Sequence, residues 1–172
     1  MLLYLVQHAE AKSEEEDPAR GLTEKGVQDV RDVSASAKMI NVKSGRVYHS
    51  GKARAMQTAQ ILADHLNLEK GLSETDGLAP TDDPSIWARR VAGMNDDIML
   101  VGHLPHLARL AGLLLSGDKE KMLIDFKMGG MVCLRRFDDG RWAVGWMIVP
   151  QVLHGDEKRE AQTKTGTDFK KK

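Results

Sequence analysis

Leu2 to Val6 is an unbroken run of five apolar residues, and it stops at Gln7-His8. A strand with one wet face alternates apolar and polar residues. A run without alternation fits a strand buried on both faces, as in a sheet with helices above and below it. The same pattern recurs twice. "GRVYHS" (45–50) is a short strand signal ending at His49-Ser50, and "DDIMLVGH" (96–103) is another, ending at Gly102-His103. Amphipathic helical stretches separate the runs. Thr23 is an N-cap for a helix with apolar residues at Val27, Val30, Val33 and Ala37. Ala55, Thr58, Ala59, Leu62 and Leu66 form one stripe of the next helix. A short helix follows with Pro84 in its first turn, and "LPHLARLAGLLL" (104–115) gives an apolar one. "MVCLRRF", "DDG" and "WAVGWMIV" read as a hairpin.

Strands alternating with helices predict an α/β fold: a three-layer α/β/α sandwich whose central sheet is mostly parallel, with the C-terminal hairpin added to it. At 172 residues the chain suits one domain, placed at 1–154. Residues 155–172 are charged, poor in apolar side chains and end in three lysines, which predicts a disordered tail. Lys+Arg and Asp+Glu both number 25, so no cationic excess favours nucleic acid as a partner. The N-terminal apolar run is too short for a signal peptide and has no basic region before it, and no stretch approaches the roughly 20 apolar residues that span a bilayer. The one cysteine, Cys133, has no partner for an internal disulfide, which fits a reducing compartment. The expectation is a cytoplasmic monomer without a membrane partner.

In open α/β sheets the ligand site lies beyond the carboxyl ends of the strands. Here those ends carry His8, His49-Ser50 and His103, with Lys52 and Arg54 at a helix start just after Ser50. Helix N-termini at that edge add backbone N–H donors. The combination predicts a phosphate-sized anion pocket containing a histidine.

Three blocks carry a family resemblance. "LYLVQHAEA" (3–11) resembles the strand-then-"RHG" signature of the histidine phosphatase superfamily, "HSGKARAMQTAQIL" (49–62) its second block, and "MLVGHLPHL" (99–107) its third. The order and spacing fit, over about residues 1 to 150, and the short intervening segments are most similar to the SixA-type phosphohistidine phosphatases. The resemblance implies that His8 is the nucleophile and becomes a phosphohistidine that water hydrolyses. It implies that Arg54 grips the phosphoryl oxygens and His103 donates to one of them. Gln7, Arg20, Ser50 and Lys52 are the further phosphate-binding candidates, Arg20 at the pocket mouth. Candidates for a proton donor are Asp82, Asp83 and Glu10, each of which also reads as a solvated loop carboxylate. The implied substrate is a phosphorylated protein, or a small phosphomonoester as the alternative.

The chain departs from the pattern at two places, with Gln7 where the family has arginine and Ala9 where it has glycine. Losing one preorganised donor typically costs about 10²–10³ in rate. Three consequences are open at this point: reduced or redirected activity, phosphate or phosphoprotein binding without turnover, or replacement of the lost charge by Lys52. A P–N bond expels an imidazole more easily than an ester expels an alkoxide, so a pocket short of one cation suits phosphohistidine better.

His103 and His106 are three apart, but no carboxylate or cysteine stands at ligand spacing with them, so neither a metal nor another cofactor is expected. His106 is placed at the pocket rim and His49 beside the loop it helps orient. His65 and His154 are placed at the surface, and Trp87, Trp142 and Trp146 in the core.

Overall fold

The computed structural model describes residues 1–68 and 70–153. In chain order these form β1 (Leu2–Gln7), α1 (Glu24–Met39), β2 (Arg46–His49), α2 (Ala53–Leu66), β3 (Leu72–Glu74) and α3 (Ser85–Ala92). There follow β4 (Ile98–Gly102), α4 (His106–Ser116), β5 (Met131–Arg136), β6 (Trp142–Ile148) and the short α5 (Pro150–Leu153). The charged segment 155–172 and His154 lie outside the described residues.

The strands make one sheet in the order β3-β2-β4-β1-β5-β6. β3, β2, β4 and β1 run parallel, while β5 is antiparallel to β1, and β6 to β5. This is the α/β sandwich with a C-terminal hairpin. β1 has a strand on each side and a helical layer on each face, which is why its apolar run does not alternate. Tyr4 and Val6 join the core under α1 and α2, with Val30, Val33, Ala59 and Leu62. Leu3 and Leu5 face the other core, with Trp87, Val91, Leu107 and Leu110 of α3 and α4.

Two local devices bring the helices to the strand ends. Thr23 caps α1, its Oγ1 accepting from Gly26 N at 3.0 Å. A Cβ at Gly26 would collide with the Glu10 carbonyl oxygen, so only glycine lets α1 pack against the chain leaving β1. β4 enters the sheet between β2 and β1, in register with both: Val101 lies opposite His49 on one side and Val6 on the other. The residue after β4 therefore sits between the ends of β1 and β2.

Some details differ from the sequence reading. β3 was not foreseen, because three residues carry no periodicity. Only Trp87 of the tryptophans is fully buried. Trp146 is half-buried against Tyr4, with ring centroids 5.8 Å apart, and Trp142 is half-buried under the Arg136 guanidinium. Among the described residues no helix is long and apolar enough to cross a membrane.

Candidate active site

His8 is the first residue past β1, and its backbone N–H donates to the Gly102 carbonyl at 3.0 Å, which extends the β1–β4 pairing by one residue. Its ring Nδ1 donates to the Ala9 carbonyl at 2.7 Å. That contact puts the proton on Nδ1 and leaves the lone pair of the neutral ring on Nε2. Arg54, in the first turn of α2, donates to that Nε2 through its Nε at 3.3 Å. Burial lowers the His8 pKa, and the charges of Arg54 and Arg20 lower it further, against the opposing pull of the Ala9 carbonyl. The result is a neutral imidazole near pH 7 with its free electron pair under a guanidinium.

His103 follows β4 and is 2% exposed. Its ring centroid lies 4.9 Å from that of His8, and its Nε2 is 2.6 Å from Ser50 Oγ. Burial, and then the positive charges gathered around it, hold its pKa down to about 3, so it too is neutral. The three strand ends thus bring His8, Arg54, His103 and Ser50 together. Lys52 is exposed at the start of α2, close enough for its charge to act on His103. Neither α2 nor α4 has a side-chain cap at its N-terminus, so their first N–H groups are not claimed by a capping side chain at this edge.

Arg20 is exposed on the loop between β1 and α1, with φ of 54°, and its Nε donates to the Lys12 carbonyl at 3.4 Å. Its charge acts on both His8 and Arg54. Gln7 ends β1 opposite Gly102, and its Oε1 is buried without a hydrogen-bond partner among the described residues.

The carboxylate candidates are engaged in holding loops. Asp82 Oδ2 accepts from Ala79 N at 2.8 Å, and Asp83 accepts from both the N–H and the hydroxyl of Ser85 at the start of α3. Glu10 Oε1 accepts from the Thr23 hydroxyl at 2.9 Å. His49 is buried, and its Nδ1 accepts from Gly51 N at 3.2 Å, which shapes the turn carrying Ser50. His65 is half-buried rather than at the surface, its Nδ1 bonded to the Ile61 carbonyl at 2.9 Å. His106 is not at the rim: it is wholly buried at the start of α4. Among the described residues no group of three or more histidine, cysteine, aspartate or glutamate side chains is placed to hold a metal ion.

Sequence reasoning quoted the block "AMQTA" without giving its polar pair a role. Thr58 Oγ1 accepts from Ala9 N at 3.1 Å and donates to the Arg54 carbonyl at 2.7 Å, tying His8 to α2. Gln57 Oε1 accepts from Leu22 N at 2.7 Å and secures the loop that carries Arg20. For Thr58 the available signal was a hydroxyl within the otherwise apolar stripe of α2; Gln57, exposed on a helix with several other polar residues, carried none. Gly129, with φ of 74°, closes the other side by donating to the Gln7 carbonyl at 3.0 Å.

Clefts also lie at the opposite end of the strands. One of about 450 Å³ is lined by Met1, Asn95, Arg136 and Trp142, and one of about 600 Å³ by Arg46, Tyr48, Lys70 and Asp96. Neither is lined by a histidine or a paired nucleophile and base, so the chemistry points to the strand-end site.

Residues 3–79 match the family model of the histidine phosphatase superfamily (branch 1), a span that holds β1, His8 and the whole "HSGKARAMQTA" block. Over that span, a little under half of the chain, the sequence is similar to the histidine phosphatase superfamily. Among similar proteins, phosphohistidine phosphatase SixA of Escherichia coli (strain K12) is 23% identical over 155 residues, covering 87% of this chain and 94% of that protein. The solved structure of the protein histidine phosphatase SixA complexed with tungstate superposes with a TM-score of 0.77 at 23% identity, over 87% of this chain and 97% of that one. The alpha-ribazole phosphatase from Shigella flexneri gives a TM-score of 0.71 at 14% identity, over 91% and 100%. At these identities the superpositions establish a shared fold.

Proposed function

We propose that the chain is a phosphatase that removes the phosphoryl group from a phosphorylated histidine of a protein, through a phosphohistidine intermediate on His8. The observation that carries this reading is the state of His8: neutral, proton on Nδ1, and the Nε2 lone pair under Arg54. Nε2 attacks phosphorus while the P–N bond of the substrate breaks and the leaving imidazole takes up a proton. Water then attacks the phosphorus of phospho-His8, and inorganic phosphate leaves with His8 restored. Arg54 moves from Nε2 to the phosphoryl oxygens, where its two-pronged guanidinium matches the charge of the transition state. Ser50 and His103 donate to those oxygens from the β4 side, and Lys52 and Arg20 raise the local potential.

Two features favour a phosphoramidate over an ester. Each of the three carboxylates accepts a hydrogen bond that holds a loop, which leaves an alkoxide without a dedicated proton donor. The pocket also has glutamine where the superfamily motif has a further cation. The test is a comparison of kcat/KM for a phosphohistidine-bearing protein with that for an activated phosphomonoester. A ratio well above one is expected. A ratio below one would move the assignment to small phosphomonoesters.

Gln7→Arg puts a guanidinium beside His8 at the place of the buried, unpartnered amide oxygen. It adds a cation for the transition state and further favours neutral His8. The expected result is a rise of at least about tenfold in kcat/KM on an activated phosphomonoester, about 1.4 kcal/mol of barrier. An unchanged or lower rate in folded protein would assign Gln7 to binding rather than to a weakened form of the motif.

A further inference from the structure

The loop from β1 to α1 holds a backbone conformation that its sequence does not call for. Arg20 has φ of 54°, in the left-handed region that side chains larger than asparagine avoid. Gly21 stands next to it, yet the positive φ falls on the arginine. A strained residue persists where its surroundings fix it. Here they do so through one carboxylate and one amide. Asp17 Oδ1 accepts from Ala19 N at 3.0 Å and its Oδ2 from Gly21 N at 2.8 Å, so the two oxygens hold the backbone on either side of Arg20. The Asp17 carbonyl accepts from Arg20 N itself at 2.8 Å, and Gln57 Oε1 takes the next N–H, that of Leu22. Glycine at 21 leaves room for this clasp: a Cβ there would stand 3.0 Å from Asp17 Oδ2 and 3.2 Å from Gln57 Nε2.

The clasp is built against the site. Lys12 N donates to the Gly21 carbonyl at 2.8 Å and Ala11 bridges to Leu22, so the turn lies along the chain just leaving His8. On its other side it meets Gln57, one turn after Arg54 on α2. Arg20 is thus set between the exit from β1 and the start of α2, and its charge is felt at both His8 and Arg54. Its Nε donates to the Lys12 carbonyl, and its two terminal nitrogens make no hydrogen bond among the described residues. A turn that only connected β1 to α1 would put the glycine at the strained position, so connection alone does not account for the arrangement.

Resting on the reading of this site as a phosphoryl pocket, we propose that Asp17 is a positioning residue: its carboxylate fixes Arg20 in the left-handed conformation and so holds a guanidinium at the pocket mouth for the incoming phosphoryl group. Charge and position act in opposite directions here. Asp17 is an anion close to the pocket, so its removal would tighten phosphate binding if only its charge mattered. If it positions Arg20, its removal weakens binding, because the loop relaxes to negative φ and takes the guanidinium with it.

The test is a double-mutant cycle on the full-length chain near neutral pH. The dissociation constant of inorganic phosphate is measured by calorimetry, and kcat and KM on a small phosphoramidate. Arg20→Ala is expected to weaken phosphate binding about tenfold, the loss of one charge-assisted hydrogen bond. Asp17→Ala is expected to weaken it about fivefold, with KM rising and kcat within about twofold. The double variant should bind within about twofold of Arg20→Ala, since Asp17 then has nothing left to position. Asp17→Asn keeps one acceptor oxygen and is expected to fall between wild type and Asp17→Ala; it takes the alanine's place in the cycle should that variant not fold. Unchanged or tighter binding in Asp17→Ala overturns the proposal. So does wild-type affinity in Arg20→Ala, or a wild type without measurable phosphate affinity. A full further loss in the double variant overturns it as well, since Asp17 would then act through the fold. Phosphate binding is read without turnover, so a chain that binds phosphate but is inactive on every phosphorylated substrate would sink the proposed function and leave this result standing.

Discussion

Replacing His8 with asparagine is expected to lower kcat by at least about 10⁴-fold on any phosphorylated substrate, because the proposed nucleophile is gone. The rest of the pocket stays: Thr58 holds the Arg54 carbonyl, and Ser50 and His103 contact each other, without the His8 ring. Binding of inorganic phosphate should therefore persist, and KM should change far less than kcat. Rapid quenching of the wild type with a phosphoramidate donor should trap acid-labile phosphate on His8, and the asparagine variant should carry none. Turnover within tenfold of wild type in His8→Asn would mean that the phosphoryl group never resides on this residue.

Arg54→Ala is expected to cost about 10²–10³ in kcat/KM, as for the loss of one preorganised donor from a phosphoryl-transfer site. The backbone at this position is held independently, since Thr58 Oγ1 bonds the Arg54 carbonyl, so the loss reads the guanidinium rather than a shifted helix. Arg54→Lys should recover little, because an ammonium has no two-pronged fork. The pH profile gives a second readout. Attack needs His8 neutral in the free enzyme, and its pKa is held below the usual 6.5 first by burial and then by the Arg54 and Arg20 charges. The acid limb of kcat/KM should accordingly lie below pH 6.5 in the wild type. Removing the Arg54 charge makes the imidazolium easier to form, so the limb should move up in pH. A downward shift would contradict the contact between Arg54 and His8 Nε2.

The layered α/β architecture was legible because its signals are local. Leu2–Val6 is apolar at every position, the α1 and α2 stripes have helical period, and Thr23 lies where a cap is needed. The site residues were legible for a related reason: each lies at the end of a strand signal, and Arg54 follows the end of β2 by five residues. The β3 strand was missed because its three residues take their conformation from pairing with β2 rather than from a pattern of their own. His106 was misplaced because burial at a helix start depends on what packs over it, and here that is the loop that ends with Asp82 and Asp83. Thr58 was assigned to the buried stripe correctly, but its hydroxyl bonds Ala9, a residue 49 positions away.

By itself the sequence determined the segments of α1 to α4 and of every strand but β3, and which side chains stand at strand ends, since those follow from spacing along one element. It also determined that glutamine and alanine flank His8. Only the tertiary structure decided that β4 enters between β2 and β1, and this single choice sets His103 4.9 Å from His8 and within hydrogen-bonding distance of Ser50. Strand order is a contest among non-local pairings, settled by which faces bury against the two helical layers and by the crossovers that cover them. It likewise decided that the Gln7 amide oxygen, His103 Nδ1 and both ring nitrogens of His106 end up buried without hydrogen-bond partners among the described residues, because burial is a property of the packed whole and not of any residue's neighbours in sequence.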